Sequence, residues 1–434
     1  MTHRIVFMHL PGQLEAVPAG RLELVTDAGQ LRTSRFGYGR HYLQRGTAID
    51  VDPISLPFLE AGDHEREPVN GLELFGAIRD ASPDSWGRQV IENRLRRHGP
   101  LPEVDYLDNA GSDRVGALDI RREVGSKVQA HPLPHHVELP YLVDAVDRIE
   151  AGEQVPALLA PYFDGGPTLG GMRPKAVVLK DGRQYVAKFP SSRDRRFNVP
   201  AVEHATLRLA REAGLNVPDL DLIALGNGRV AMMIERFDRE PVDGGLARRH
   251  MVSGLTMLGL QEMESSRGSY AALADIISAR GVAQHVQEDR TELFKRMVFN
   301  ILVNNNDDHL RNHAYLLGQT KTLADGQRMS QWRLSPLYDV VPSPEIGTDR
   351  YMAIGVGTQG RLATLDNALS SAGQFGLHSA DAATLILQIV SAVRPWKGVF
   401  EEHGVSHADI AAVEGAFRRA SDIGLQHVER VARV

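Results

Sequence analysis

The sequence predicts an α+β protein of two lobes, β-rich towards the N-terminus and mostly helical towards the C-terminus. Three observations carry that expectation. Residues 1 to about 60 alternate in polarity and are punctuated by Gly12, Gly20, Gly29, Gly37 and Gly39, the pattern of short strands joined by turns. Leu293, Phe294, Met297, Val298, Ile301 and Leu302 recur at helical spacing, so a buried helix runs directly into a polar loop at residues 304–312. From about residue 378 the apolar spacing is again amphipathic, with Ser379 and Ser406 placed as N-caps and Trp396 as a core residue.

At 434 residues the chain can bury a large core in two or three domains. Its 42% hydrophobic and 24% charged shares are those of an ordinary globular protein. A net charge of −6 at pH 7 supplies no overall attraction to nucleic acid, so DNA contact would need a local patch or a partner. The lack of cysteine excludes disulfides, thiolate metal sites and cysteine nucleophiles. Met1-Thr2-His3-Arg4-Ile5-Val6-Phe7 has no apolar stretch of signal-peptide length, and no run approaches the roughly 20 apolar residues of a membrane span. A cytoplasmic protein without membrane contact is expected.

Along the chain, Ser82-Pro83-Asp84 is expected to open a helix, with Ser82 as N-cap. Trp86, Val90, Ile91 and Leu95 then share one face, read as core. Residues 111–118 read as a turn into a strand, and His131-Pro132-Leu133-Pro134-His135-His136 as a linker. Thr168-Leu169-Gly170-Gly171-Met172-Arg173-Pro174-Lys175 is a glycine-rich loop before the apolar run Ala176-Val177-Val178-Leu179. It is neither a Walker A motif nor a Gly-x-Gly-x-x-Gly. After a turn at Asp181-Gly182, Tyr185-Val186-Ala187-Lys188-Phe189 reads as a strand carrying an inward lysine. A helix from about Val199 to Ala213 stops at Gly214, with Glu203 near its start. A strand at Leu220–Leu225, a Gly226-Asn227-Gly228 turn and a strand ending Glu235-Arg236-Phe237-Asp238 follow. The expected division is 1–130, β-rich; 131–240, small-lobe elements; and 241–434, a helical lobe with the polar loop.

That loop holds the chemistry. Asp307 and Asn312 stand five residues apart, the interval between the catalytic Asp and the metal-binding Asn of the protein-kinase catalytic loop. After an insert of hairpin length, Leu334-Ser335-Pro336-Leu337-Tyr338-Asp339 brings a second carboxylate, where a kinase has another magnesium ligand. Asx-rich loops also serve simply as turns. Here a buried helix leads into the cluster, and burying so many polar groups costs free energy unless they are paired or hold a metal. Phosphoryl transfer needs an oriented acceptor hydroxyl and charge neutralisation on the phosphates, both within reach of such a set. The order glycine loop, strand with Lys, helix with Glu, strand pair, helices, catalytic loop and second Asp predicts a two-lobed protein-kinase-like fold.

On Thr168–Lys175, Tyr185–Phe189, Glu235-Arg236-Phe237-Asp238, Asn306–Asn312 and Leu334–Val340 the chain resembles the HipA-type serine/threonine kinases, the toxin halves of bacterial type II toxin–antitoxin pairs. The likeness spans nearly the full chain, since the β-rich start and Val115-Gly116-Ala117-Leu118 look like that family's N-terminal part. The resemblance implies ATP and Mg²⁺ as cofactors. It implies Asp307 as the base that orients the acceptor hydroxyl, His309 as a buttress of the loop, and Asn312 and Asp339 as magnesium ligands. Lys188 would contact the α/β-phosphates, with Gly170 and Gly171 in the nucleotide loop. Glu235 and Phe237 would form the hinge strand that binds adenine, and Glu203 would pair with Lys188. Thr168 stands where the family loop typically begins with Ser. In relatives that serine is autophosphorylated, displacing the loop and silencing the kinase. Thr168 carries an equivalent hydroxyl, and a phosphate of roughly −1.5 to −2 charge there would repel those of ATP.

The resemblance also implies partners: a small helix-turn-helix HipB-type antitoxin that binds operator DNA, and a protein substrate of the aminoacyl-tRNA synthetase class. Phosphorylating a synthetase would block tRNA charging and arrest growth. Direct DNA contact is expected to be secondary, through Arg418, Arg419 or Arg430, which read first as a solvated helix face. The residues leave two other readings open, a small-molecule phosphotransferase on the same scaffold and a pseudokinase-type, DNA-bound corepressor.

Overall fold

The computed structural model describes residues 1–58, 64–97, 99–156, 158–163, 171–324, 328–344, 347 and 349–433. The chain forms two compact units. One comprises Met1–Ser192, Ile223–Leu260 and Tyr315–Gln331, the other Arg193–Leu222, Gln261–Ala314 and Trp332–Val434.

The first unit holds most of the strand residues. β1 (Thr2–His9), β2 (Ala16–Asp27), β3 (Gln30–Tyr38) and β4 (Leu118–Arg121) pair in the order β3-β2-β1-β4. Val6, Met8, Leu22 and Leu24 are fully buried on it, the period-2 pattern of a sheet with one covered face. A second sheet has the order β5-β6-β8-β7, from β5 (Lys175–Lys180), β6 (Arg183–Lys188), β7 (Leu220–Gly226) and β8 (Arg229–Glu235). The β5–β6 turn places Asp181 and Gly182 at positive φ, which the right-handed twist of a tight hairpin demands. Ala176, Val178, Tyr185, Ala187, Ala231 and Met233 project from one face of this sheet into a core with Leu142, Val146 and Ile149 of the helix Leu139–Glu150. β9 (Arg239–Val242) and β10 (Gly245–Arg248) form a hairpin, and β11 (Met251–Ser253), β12 (Ala314–Thr322) and β13 (Arg328–Leu334) a three-stranded sheet.

Two details of the helix Ser85–Arg94 differ from the sequence reading. The helix Ser85–Arg94 is capped by Asp84, whose carboxylate accepts from Gly87 N at 2.7 Å. Ser82 is spent elsewhere, donating its hydroxyl to the Ile78 carbonyl one turn back at 2.8 Å. Trp86, Val90 and Ile91 are buried as expected, but Leu95 is the C-cap, past the turn that packs, and stays 39% exposed.

The second unit is mostly helical. Its centre is the helix Val286–Val303, on which Leu293, Phe294, Met297, Val298, Ile301 and Leu302 are all buried. The helices Tyr270–Arg280 and Ser379–Val393 pack against it. Ser406 caps the helix His407–Val413 by accepting from Asp409 N at 3.1 Å. Ser379 does not cap: His378 holds the extended N-cap conformation, and Ser379 is already the first helical residue. Trp396 is core, stacked on Phe417 with ring centroids 3.8 Å apart. Arg418 and Arg419 lie between helices rather than on a helix face, and Arg418 donates to the Ala363 carbonyl at 3.2 Å. Arg430 is exposed on the helix Leu425–Ala432. Among the described residues, no helix is long and apolar enough to cross a membrane.

Candidate active site

In the first unit, β6 ends at Lys188. The pleat sends Tyr185 and Ala187 into the core, so Val186 and Lys188 lie on the opposite face. In register, Lys188 stands across from Lys175 on β5 and Met232 on β8. Gly171 holds a left-handed φ of 94°, and its carbonyl accepts from Lys175 Nζ at 3.2 Å. Lys175, itself almost fully buried, also pairs with Asp84 at 2.9 Å, which ties the end of the glycine loop to the cap of the helix Ser85–Arg94. Thr168 and Gly170 lie outside the described residues.

Glu235 is the last residue of β8, paired with Tyr185, and its carboxylate takes Arg183 Nη1 at 2.5 Å. Phe237 is not on that strand but in the turn after it. A chelate spans it. Arg236 Nε and Nη2 donate to Asp238 Oδ1 and Oδ2 at 2.9 and 2.8 Å, with both side chains buried. Asp113 joins them, accepting from Arg236 at 3.2 Å and Arg239 at 2.6 Å, while Asp238 Oδ2 accepts from Gly116 N at 2.8 Å. Burial alone would raise Asp113 and Asp238, but Arg236 and Arg239 hold both well below the usual carboxylate range. The sequence reading missed this network, which joins Asp113 and Gly116 to Arg236, Asp238 and Arg239 across more than a hundred residues.

In the second unit the helix Val286–Val303 ends at Asn304, whose left-handed φ of 50° turns the chain out into the loop. His309 N and Asn312 Nδ2 donate to the Asp307 carbonyl at 2.7 and 3.1 Å, and Asn312 N to the His309 carbonyl at 2.9 Å. This closes the five-residue interval into a compact turn. Residues 335–343 are laced beside it. Asn304 Nδ2 donates to the Ser343 carbonyl at 2.5 Å and Ser343 N returns a bond of 3.0 Å. Tyr338 Oη donates to the Arg311 carbonyl at 2.7 Å, and Ser335 N to the Ala314 carbonyl at 2.9 Å.

Asp339 lies between those rungs with a left-handed φ of 61°, a conformation rare for a residue with a Cβ and often kept where function requires it. The Asp307 carboxyl is raised above its ordinary value. Loss of solvent around it is the first cause, although the residue keeps an exposed edge. The negative charges of Asp339 and Asp308 add to this, and His309 opposes it. Asp307, His309, Asn312 and Asp339 are thus brought together in this unit. Glu203 belongs to the same unit, buried near the start of the helix Val199–Glu212. Asp307 faces out and its neighbour Asp308 is buried; nothing in the spacing of two adjacent aspartates distinguishes them.

Residues 167–396, just over half of the chain, match the family described as the HipA-like C-terminal domain. A candidate kinase of Sinorhizobium fredii is 26% identical over 339 residues, spanning 73% of this chain and 75% of that protein. The serine/threonine-protein kinase toxin HipA of Shewanella oneidensis is 24% identical over 201 residues, 40% of this chain and 45% of that protein. A solved complex of a Shewanella oneidensis toxin–antitoxin system, containing HipA, HipB and operator DNA, matches with a TM-score of 0.67 and 18% identity over 99% of both chains. That likeness shows the fold, and it extends over nearly the whole length. The chain therefore belongs to the HipA-like family, with its HipA-like C-terminal domain at residues 167–396.

Proposed function

We propose that the chain is an ATP- and Mg²⁺-dependent serine/threonine protein kinase that phosphorylates a cellular protein. The observation that carries the reading is the lacing of residues 335–343 beside the loop 304–314, which draws the Asp339 and Asp307 carboxylates towards each other. The Asp339 charge, near enough to raise the Asp307 carboxyl, and the amide of Asn312 beside them complete a hard-oxygen set suited to a divalent cation. Asn312 and Asp339 would hold the ion, and bound Mg²⁺ neutralises charge on the phosphates of ATP. Asp307 would orient the acceptor hydroxyl and take its proton. His309, with its backbone N–H on the Asp307 carbonyl, would keep that carboxylate aimed. Lys188 would meet the phosphates as a point charge, Glu235 and Phe237 would offer backbone groups to the adenine, and Gly170 and Gly171 would cover the nucleotide.

The protein named in the Shewanella complex assembles with HipB and operator DNA. By that likeness the partner here would be a HipB-type antitoxin, with DNA bound mainly through it in the cytoplasm. A synthetase substrate and a self-silencing phosphate on Thr168 belong to the same proposal.

The test is transfer of labelled phosphate from ATP–Mg²⁺, comparing the native chain with Asp307→Ala. Label on the chain itself or on a protein of added lysate, absent with Asp307→Ala, is the expected result. Equal labelling by both chains, or none by either, would remove the kinase reading. Mapping of self-label to Thr168 would establish the loop switch.

A further inference from the structure

We infer that Asp308 is the positioning residue of the loop, a buried carboxylate that fixes the direction of Asp307 without itself meeting substrate; the inference rests on the kinase reading above. Asp308 is 1% exposed, and its Oδ2 collects three donors. Asn300 Nδ2 reaches it at 2.8 Å from the helix Val286–Val303, and His313 Nε2 at 3.0 Å from the residue preceding β12. Tyr270 Oη donates from the helix Tyr270–Arg280. The network continues outwards: Asn305 Nδ2 donates to Asn300 Oδ1 at 3.2 Å, and the Tyr270 and His313 rings meet edge to face with centroids 5.5 Å apart.

Such an arrangement is an expensive way to gain stability. A buried carboxylate carries a large desolvation cost, and well-packed apolar residues of similar volume usually stabilise as well or better. Burial would raise the Asp308 carboxyl, yet His313 and the bonds from His313 and Tyr270 hold it below its ordinary value, so it remains a charged acceptor. A charged acceptor gains most from donors at fixed angles, and these come from three separate elements.

The Asp307 peptide is clamped on both sides as a result. Its carbonyl is held by His309 N and Asn312 Nδ2. The residue that follows is pinned inward through Oδ2. With Asp308 turned in, Asp307 is turned out, and only its side-chain torsions remain free. Orientation of this kind is worth much in rate, since a displacement of about 1 Å costs on the order of 10²-fold.

The experiment measures kcat and KM for ATP–Mg²⁺ with the acceptor labelled in the preceding test, alongside melting temperature, for the native chain, Asp308→Asn, Tyr270→Phe and Asp307→Ala. Asp308→Asn and Tyr270→Phe are expected to lower kcat by about 10- to 10²-fold while KM for ATP moves less than about twofold. A residue needed only for stability would lower the melting temperature and leave the kcat of the folded fraction unchanged. Folded Asp308→Asn with native kcat overturns the inference. If that variant does not fold, native kcat in Tyr270→Phe overturns it instead. Native turnover by Asp307→Ala is the separate outcome that removes the kinase reading, and this inference with it.

Discussion

Tyr338 Oη donates to the Arg311 carbonyl at 2.7 Å, so the residue before one candidate metal ligand, Asp339, grips the residue before the other, Asn312. That hydroxyl thus helps to fix the separation of those ligands. Tyr338→Phe deletes the hydroxyl and keeps the ring. A typical hydrogen bond contributes about 1 kcal/mol to stability, so the melting temperature should fall only slightly. Phosphate transfer should fall about tenfold, because the two ligands lose their fixed spacing. A variant with native transfer at every Mg²⁺ concentration would show that the spacing is set elsewhere.

Asn312 closes the loop through the Asp307 carbonyl and, in the proposed kinase, is also a ligand to Mg²⁺. Asn312→Ala removes both. Transfer at saturating ATP should drop by at least about 10²-fold, and excess Mg²⁺ should recover only part of it. Full recovery would mean that Asn312 is a ligand and nothing else.

The network around Arg236 makes a prediction about stability. Arg236→Met removes the shared partner of Asp113 and Asp238, leaving Arg239 as the remaining cation bonded to both. Removing one member of a buried ion pair costs about 3–5 kcal/mol, and retention of Arg239 sets the expectation at the lower end. The midpoint of urea unfolding reads the loss. An unchanged midpoint would mean that solvent reaches the pair and supplies the missing donors.

These cases separate what sequence can carry from what it cannot. The helix Val286–Val303 was legible because six apolar residues repeat at its period, and Asp307 with Asn312 because a five-residue interval is a local quantity. The hairpin at Asp181-Gly182 was legible because the turn chemistry is local too. Asp113 and Arg236 were not: they meet only once β4 and β8 have folded, and neither residue type is informative alone. Phe237 follows an apolar run and reads as the end of that strand, but it stands in the turn after it. The Arg236–Asp238 chelate that spans that turn is a side-chain interaction that propensity does not encode. Ser82 failed as a cap for a similar reason, since its hydroxyl had a nearer acceptor at Ile78 and the charged Asp84 stood two residues on.

His204 gives the last prediction, on pH. It is buried in the helix Val199–Glu212, its ring edge to face with His403 at 5.6 Å. Burial is the main reason that its pKa is lowered to about 4, with the positive charges of His403, Arg208 and Arg211 adding to it and Asp221 opposing. In the unfolded chain the imidazole titrates near 6.5. Above that pH it is neutral in both states and stability does not change. As the pH falls below 6.5 the unfolded chain takes up the proton first, so the folded state loses stability progressively down to about pH 4, and no further below that. A shift of this size corresponds to about 3 kcal/mol in full, most of it lost by pH 4.5. Urea unfolding of the native chain and of His204→Gln at pH 7.5, 6, 5 and 4.5 separates this residue from the other titrating groups. Stability of the native chain should fall by about 2–3 kcal/mol more than that of the variant between pH 7.5 and 4.5. Parallel curves would mean that His204 is protonated in the fold, with water or a shifted Asp221 stabilising the imidazolium.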